Sequence, residues 1–167
     1  MSTYFESFPD HARVWIYAAK RPFTLEEHEY LSARLGLFIE QWQAHGKQLK
    51  SDFAILHRRF VVIAVDEGPQ NATGCSIDAC VHELQAISKE LNIDLFDRMQ
   101  VVYRDVDNNM VVSCSIPEAK EMIAQHDFPT DTPVFNNSIT SLKELRQNWE
   151  VPAAESWIKR YFETAKA

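Results

Sequence analysis

Runs of β-branched and aromatic residues predict four strands in the first part of the chain. They are Arg13 to Tyr17, Met99 to Tyr103, and two strands within Phe53 to Val65. Such residues pack well on a pleated, half-buried surface, so they favour extended backbone. The stretch from 53 to 65 is too long for one strand of usual length. We therefore expect it to turn at its only polar triplet, His57-Arg58-Arg59.

Apolar residues at helical spacing predict two helices between these strands. Thr24 and Glu27 form a capping box, and the apolar stripe that follows continues to Gly46. Ser76 is expected to cap a second helix, whose apolar residues fall on one side as far as Leu91. The predicted order is therefore strand, helix, strand, strand, helix, strand.

This order is that of the ferredoxin-like βαββαβ fold, with two helices on one face of an antiparallel sheet. Beyond it, the pattern predicts a second hairpin, a short helix capped by Ser115, and two further helices. No linker-like composition separates this part from the rest. We therefore expect one α+β domain over residues 1–167, with a core at about 13–104 and a C-terminal extension at about 105–167.

Composition narrows the classes of partner. The 167 residues include 17 Lys and Arg against 24 Asp and Glu, a formal charge of −7. Nucleic acids and anionic membrane surfaces attract clustered basic residues, so this balance disfavours both as partners. No apolar run approaches the ~18 residues of a membrane span, and the start of the chain lacks the apolar stretch of a signal peptide. Because three cysteines are too few for a disulfide framework, we expect a cytoplasmic protein.

The spacing of glycines and histidines argues against the common nucleotide and metal motifs. None of the four glycines begins a P-loop or a Gly-x-Gly-x-x-Gly turn, which cradle phosphates with backbone N–H groups. None of the six histidines lies three to five residues from another, and no Cys-x-x-Cys pair occurs. The sequence therefore predicts no nucleotide cofactor and no metal site.

The candidate catalytic group lies in the segment Gly74-Cys-Ser-Ile-Asp78. Cys75 is predicted just before a helix start, where the positive end of the helix dipole favours a thiolate. Cys75, Asp78 and His82 have the spacing i, i+3, i+7, so they share one helix face as a nucleophile, an orienting acid and a base. Seven helical residues span about 10 Å, so direct contact between thiol and imidazole requires the chain to turn before Ser76.

Two alternatives to this constellation remain open. A histidine brought in by the fold, such as His45, is another candidate base for Cys75. The competing interpretation is structural, because small residues are common at capped helix starts. Asp78 would also oppose a thiolate through its negative charge. Cys80 and Cys114 are expected in the core.

Candidate ligand-binding residues lie in a predicted turn and at a predicted helix end. The triplet His57-Arg58-Arg59 has the charge to bind an anion, although a charged hairpin turn is usually just solvated. His45 is a further candidate beside Gly46, where the end of a helix also favours a cation for structural reasons. Asn136-Asn137 are expected to turn the chain, with no further role assigned.

Several segments together resemble a family of short bacterial proteins to which the description "ABC transporter ATPase" is often given. The segments are Trp42-x-x-His-Gly46, Gly74-Cys-Ser-Ile-Asp78, Leu95-Phe-Asp-Arg98, Val134-Phe-Asn-Asn137, Trp149-Glu-Val-Pro152 and Ser156-Trp157. The resemblance extends from about residue 13 to 162 and implies a cytoplasmic protein without assigned catalytic residues. The chain lacks the Walker A loop and Leu-Ser-Gly-Gly signature of an ABC ATPase, so ATP hydrolysis is not expected.

Two function classes follow from these patterns. The leading hypothesis is a small binding or interaction domain without catalytic activity, for a small molecule or a protein. A homodimer fits this hypothesis, because an apolar sheet face must be covered by something. If the C-terminal helices cover that face within the chain, a monomer is expected instead. The alternative is a thiol-dependent enzyme or redox sensor that uses Cys75.

Overall fold

A computed structural model describes residues 4–165, and the two ends of the predicted 1–167 domain, residues 1–3 and 166–167, lie outside the described residues. The described helices are α1 (Leu25–Gln41), α2 (Gly74–Leu91), α3 (Ile116–Ala124), α4 (Leu142–Gln147) and α5 (Lys159–Ala165), with a 3-10 turn at Ala153–Glu155. The strands are β1 (Arg13–Ala18), β2 (Gln43–Ala44), β3 (Lys47–Gln48), β4 (Lys50–Leu56), β5 (Phe60–Asp66), β6 (Gln100–Asp105), β7 (Met110–Ser115), β8 (Pro133–Phe135) and β9 (Glu150–Pro152). The predicted mixture of helices and antiparallel strands is confirmed.

The strands form two main antiparallel sheets and the small hairpin β2-β3. Sheet A has the strand order β1-β5-β4, and sheet B has the order β7-β6-β8-β9. Sheet A therefore contains the first three strands of the predicted core, with the third strand in the middle. β6, predicted as the fourth strand of that sheet, pairs instead with β7 and β8. Within the described residues, the four-stranded ferredoxin-like sheet is thus not completed.

The two sheets pack face to face, and helices cover both outer faces. Successive side chains of a strand point to opposite faces, so the core contacts of neighbouring residues define the layers. In β5, Val62 faces the core between the sheets, whereas Ile63 packs with α1 and α2. In β6, Val102 belongs to the inner core and Val101 packs with α3 and α5. The order of layers is α1 and α2, sheet A, sheet B, then α3 and α5.

This layering explains the unbroken apolar run of β5. Every residue from Phe60 to Asp66 is buried, because both faces of the strand are covered. The inner face of sheet A is covered within the chain by residues that include Phe8, Leu142 and Trp149. The chain itself therefore covers the apolar sheet face that was the argument for a homodimer. No helix within residues 4–165 is long and apolar enough to cross a membrane.

The helix caps agree with the sequence at two helices and differ at a third. Thr24 caps α1 and Ser115 caps α3, each in a complete capping box, as predicted. In α2 the cap is Thr73, and Ser76, predicted as the cap, is the third helical residue. The Thr73 hydroxyl accepts from the Ser76 N–H (3.2 Å) while the Ser76 hydroxyl accepts from the Thr73 N–H (2.7 Å). Cys75 therefore lies inside the first turn of α2 rather than before it.

The first helix ends earlier than its apolar stripe suggested. α1 ends at Gln41, with Trp42 as its C-cap, and not at Gly46. His45 and Gly46 form the turn of the β2-β3 hairpin, both at positive φ (52° and 76°). The helix-end explanation for a cation at His45 is therefore wrong, and the residue lies exposed in a hairpin turn.

The predicted turn at His57-Arg58-Arg59 joins β4 to β5, but its three side chains differ in environment. His57 and Arg58 are exposed, with φ of 52° and 54°, whereas Arg59 is 4% exposed. Arg59 Nη1 donates to the Ala19 carbonyl (3.1 Å) and to the Ser113 hydroxyl (2.9 Å). The interpretation of the whole triplet as a solvated turn is thus wrong for Arg59, which joins both sheets.

His57 adds a pH-dependent contribution to stability. The centroid of its ring lies 5.6 Å from the ring centroid of Phe135 and 5.8 Å from that of Trp149. The residue as a whole is exposed, but its ring is partly buried by these contacts. This partial burial, followed by the nearby positive charge of Arg104, lowers the pKa of His57 below its ordinary value of 6.5, although Glu150 opposes the shift. The unfolded chain therefore binds a proton more readily, and folding stability falls as pH drops through 6.5.

We predict that His57→Asn loses less stability than the wild type between pH 7 and about pH 5, because the titrating group is gone. Asparagine tolerates positive φ, so the turn is preserved. The measurement is the free energy of unfolding in denaturant across this pH range. His126→Asn, another exposed histidine at positive φ (61°), is the matched control for the backbone change. Parallel curves for wild type and His57→Asn would refute the prediction.

Candidate binding cavity at the edge of strand β1

Strand β1 forms one edge of sheet A, and its outer backbone groups find partners outside the sheet. Near its start, residues 140–141 pair with it through a backbone hydrogen bond and an isolated bridge. Near its end, side chains take over this role. Arg98 Nη1 donates to the Ile16 carbonyl (3.3 Å), and Gln100 Nε2 donates to the Ala18 carbonyl (3.0 Å). Two side chains thus lie where the backbone of a fourth strand would otherwise run.

Gln100 is buried, and its hydrogen bonds are incomplete. The side chain is 8% exposed, and its Nε2 donates to the carbonyls of Ala18 and Asp97 (3.0 and 3.4 Å). Since both partners are acceptors, only the amide nitrogen fits facing them, and Oε1 must point elsewhere. Among residues 4–165, Oε1 is one of three buried side-chain polar atoms without a partner, with Arg59 Nε and Ser51 Oγ. Such an atom costs about 1–3 kcal/mol.

A cavity of about 160 Å³ adjoins Gln100 at the seam between the sheets. Its walls come from β1, from the segment leading into β6, from the loop after β8 and from the segment before α5. The lining residues are Ala18, Leu95, Asp97, Arg98, Gln100, Phe135, Asn137, Ser138 and Trp157. A protein cavity of roughly 150 Å³ holds one benzene molecule, so this space suits a single small ring.

The apolar part of the wall is firmly packed, apart from one residue. Leu95 and Phe135 are 3% and 1% exposed, so their positions are fixed by the core. Trp157 is 38% exposed and contacts Tyr161 edge-to-face, with ring centroids 6.5 Å apart. The cavity therefore has a rigid apolar base and an accessible indole.

The acidic group of the wall is already paired. Asp97 Oδ2 lies 3.0 Å from Lys20 Nζ, and Asp97 Oδ1 accepts from the Met99 N–H (2.8 Å). The Met99 hydrogen bond, followed by that of Lys20, lowers the pKa of Asp97, and the hydrogen bond to Asp97 raises the pKa of Lys20. Both groups therefore stay charged and bound to each other near neutral pH.

Arg98 is the cation of the wall, and backbone oxygens rather than a carboxylate hold it. Its Nη1 donates to the carbonyls of Ile16 (3.3 Å) and Asn137 (3.4 Å). Its guanidinium lies 5.7 Å from the ring centre of Tyr17, whose pKa is raised to about 12, chiefly by burial. Within the part of the chain that the structure describes, the Nε and Nη2 donors of Arg98 have no acceptor. Because Arg98 is exposed, these charged donors face solvent.

Asn136 and Asn137, for which the sequence predicted only a turn, fix the loop that closes the cavity. Asn136 donates its backbone N–H to the Trp149 carbonyl (2.8 Å), and its Oδ1 accepts from the Ser138 N–H (3.1 Å). Asn137 Oδ1 accepts from the Trp149 indole N–H (3.1 Å). The Asn137 amide oxygen is thus occupied by a hydrogen bond within the fold, although Asn137 still lines the cavity.

The candidate catalytic residues lie elsewhere, on the surface at the start of α2. Cys75, Asp78 and His82 are all exposed. Because α2 begins at Gly74, regular helix separates Cys75 from His82 by about 10 Å along its axis. The turn that would bring them into contact is absent from this part of the described chain. Cys75 instead shares an open groove of about 390 Å³ with His45, the alternative base.

The candidate ligand-binding residues also lie outside the cavity wall. His57 packs on Phe135, whose ring lines the cavity, but His57 itself does not line it. Arg58 donates to the Phe23 carbonyl (2.9 Å), and Arg59 is buried between the sheets. His45 lines the groove beside Cys75. His57, Arg58 and Arg59 line neither that groove nor the cavity at β1.

Sequence reasoning missed the cavity, although part of its signal was present. Three segments of the family resemblance, Leu95–Arg98, Val134–Asn137 and Ser156–Trp157, all contribute to the wall. Gln100 has a weaker signal, as a polar residue directly before the apolar run of β6. Neither signal indicates that these segments meet.

Comparison with known proteins adds no assignment: no family model, no curated protein and no solved structure matches this chain. No group of three or more His, Cys, Asp or Glu residues within the described range is arranged to hold a metal ion. The interpretation of the site therefore depends on its own geometry.

The three cysteines are expected to differ strongly in reactivity. Burial raises the pKa of Cys80 to about 12 and that of Cys114 to about 11, whereas Cys75 is exposed. Since the thiolate is the reactive form, we predict that Cys75 is alkylated more than about tenfold faster than the others at pH 7–8. Mass spectrometry of native protein after timed iodoacetamide treatment measures this, with Cys75→Ser as the control. Comparable rates at all three would contradict the burial of Cys80 and Cys114.

Proposed function

We propose that this protein is a binding domain that takes up a small organic molecule in the cavity at the edge of β1. The observation that carries the proposal is one cavity of about 160 Å³ that combines a fixed apolar base, an accessible indole and a guanidinium held by backbone carbonyls. Apolar contact with Leu95, Phe135 and Trp157 would supply most of the affinity for a single ring.

The chemistry of the wall favours binding over catalysis. Asp97 is held by Lys20. Gln100, Asn137 and the apolar groups do not exchange protons. The lining residues thus offer hydrogen bonds and charge, but no group poised to act as an acid or base near pH 7.

We extend the proposal to the relation between this fold and the ferredoxin-like fold, and to the place of the protein in the cell. We treat sheet A with α1 and α2 as a ferredoxin-like core whose last strand has joined sheet B. The element order and the order of three strands support this interpretation. Together with the family resemblance and the acidic composition, it keeps a cytoplasmic bacterial binding protein as the expected context, as a monomer or a homodimer.

A second candidate function uses Cys75 as a nucleophile or redox sensor. The specific observation in its favour is that Cys75 and His45 line the same groove at the start of α2. If His45 acts as the base, His45→Asn is expected to slow alkylation of Cys75 severalfold and to flatten its pH dependence between pH 5 and 8. Asparagine suits the positive φ at this position. An unchanged rate profile would remove this candidate.

The binding proposal predicts that neutral single-ring probes enter the cavity. We expect 2-acetylpyrrole and 2-acetylfuran each to bind with a Kd on the order of 1 mM and to perturb the indole N–H resonance of Trp157. Titrations followed by two-dimensional NMR measure both affinities.

One variant connects this binding to the cavity. Trp157→Ala, at an exposed position, is expected to weaken both probes without loss of the fold. If neither probe perturbs residues of the wall at 10-fold above about 1 mM, the proposed function fails.

A further inference from the structure

A second concave surface lies at the end of sheet B where β6 turns into β7, and it shares no lining residue with the cavity at β1. Tyr103 of β6 pairs with Val134 of the antiparallel β8, so the turn after β6 and the segment before β8 meet at this end of the sheet. Between them lies a groove of about 470 Å³. Its volume is within the ~300–1,000 Å³ that is usual for small-molecule sites.

Four aspartates line this surface, which we call the acidic groove. They are Asp105 and Asp107, from the end of β6 and the turn after it, and Asp127 and Asp131, from the segment before β8. None of the four forms an ion pair within residues 4–165. Arg104 also lines the groove, but Glu150 binds its guanidinium with both carboxylate oxygens (2.7 and 2.9 Å). The acidic groove therefore carries four uncompensated negative charges.

Exposed carboxylates are solvated by water and do not define a site, but a second feature of the groove points to a ligand. Thr132 lines the groove and is only 9% exposed. Its hydroxyl has no hydrogen-bond partner among the described residues, and it is not one of the fully enclosed unpaired atoms. Unlike Gln100 Oε1, this buried hydroxyl is therefore within reach of a ligand in the groove.

The apolar part of the groove includes two aromatic rings. The ring centroids of Tyr103 and Phe128 are 4.9 Å apart, and both residues line the groove. Phe128 is 4% exposed, so the core fixes its position. Aromatic faces attract cations, and their apolar surface packs well against methylene groups. The groove thus combines negative charge, a hydroxyl acceptor and an aromatic surface.

We propose that the acidic groove binds a polyamine, that is, an elongated organic cation whose ammonium groups are joined by methylene chains. The ammonium groups would donate to the carboxylates and to Thr132 Oγ1. The methylene chain would lie against the rings of Tyr103 and Phe128.

The arrangement of the charges favours an elongated cation over a metal ion. No group of three or more His, Cys, Asp or Glu residues in the described part of the chain is placed to hold a metal ion, so the four carboxylates do not converge on one point. They belong instead to two segments that meet at the groove. A cleft lined by charges of one sign concentrates ions of the opposite sign. A ligand with a charge at each end can contact both segments at once.

Three probes test this assignment on the full-length protein. 1,4-Diaminobutane has two charges on a four-carbon chain, butylamine has one charge on the same chain, and Mg²⁺ has two charges at one point. We expect 1,4-diaminobutane to bind at low salt with a Kd on the order of 1 mM, and butylamine at least about tenfold more weakly. Two-dimensional NMR titrations measure both affinities, and the shifted resonances should lie within residues 103–107 and 127–133.

A pair of triple variants separates the groove from the overall charge of the protein. One variant replaces three aspartates of the groove, all exposed and without side-chain hydrogen bonds among the described residues: Asp107→Asn, Asp127→Asn and Asp131→Asn. The matched control removes three exposed acids elsewhere, which are likewise free of such bonds: Glu29→Gln, Glu40→Gln and Glu90→Gln. We expect the groove variant to bind 1,4-diaminobutane at least about tenfold more weakly than the control, since only it loses the local field.

Thr132→Val tests the buried hydroxyl while nearly preserving the shape of the side chain. Because that hydroxyl has no partner in the described fold, its removal is expected to leave the thermal midpoint unchanged or raised. Binding of 1,4-diaminobutane is expected to weaken severalfold. A retained thermal midpoint with weakened binding distinguishes a ligand contact from a structural role.

The following results would overturn the inference. They are equal affinities for butylamine and 1,4-diaminobutane, displacement of 1,4-diaminobutane by an equal concentration of Mg²⁺, and equal losses of binding in the two triple variants. If a capped Lys-Gly-Lys peptide binds more than about tenfold tighter than 1,4-diaminobutane, the groove is a docking surface for basic protein segments and the polyamine assignment is wrong. None of these results bears on the cavity at β1, because the two sites share no residue.

Discussion

The outer edge of β1 carries backbone carbonyls that must find hydrogen-bond donors, and the architecture depends on how this need is met. In a completed four-stranded sheet a neighbouring strand would donate its N–H groups. Here Arg98 and Gln100 donate from their side chains to the carbonyls of Ile16 and Ala18. β6 is thereby free to lie in sheet B, and sheet A packs against it face to face. Side chains thus satisfy this strand edge, and the two separate sheets form a sandwich.

Because side chains rather than a strand satisfy this edge of β1, a space and an unsatisfied atom remain beside it. A strand edge alternates donors and acceptors at regular spacing, whereas a glutamine amide that turns its nitrogen to a carbonyl must turn its oxygen away. Gln100 Oε1 is therefore unpartnered as a direct result of the way β1 is satisfied. The cavity forms where side chains do not fill the volume that a strand backbone would occupy. The unpaired oxygen and the cavity beside it thus arise from one arrangement.

Local features of the fold could be predicted from the sequence, because neighbouring residues determine them. The capping boxes that begin at Thr24 and Ser115 are complete within four residues. The partner of β6 could not be predicted, since Val101 and Val102 alternate between two buried faces in either sheet. The start of α2 was misplaced because Thr73 and Ser76 both have capping hydroxyls that bond to each other. Local chemistry does not decide between such equivalent alternatives.

The candidate site was out of reach of the sequence for a related reason. Its residues come from near positions 18, 98, 136 and 157, and only the packing of the two sheets brings them together. Cys75 attracted attention because its chemistry is visible in a single segment, whereas Gln100 gains significance only from lacking a partner, which a sequence does not record. The net charge of −7 likewise says nothing of a seam where a guanidinium is held by carbonyl oxygens alone. An unmade hydrogen bond and a cavity between sheets both exist only once the chain is folded, so no local pattern along the sequence indicates either.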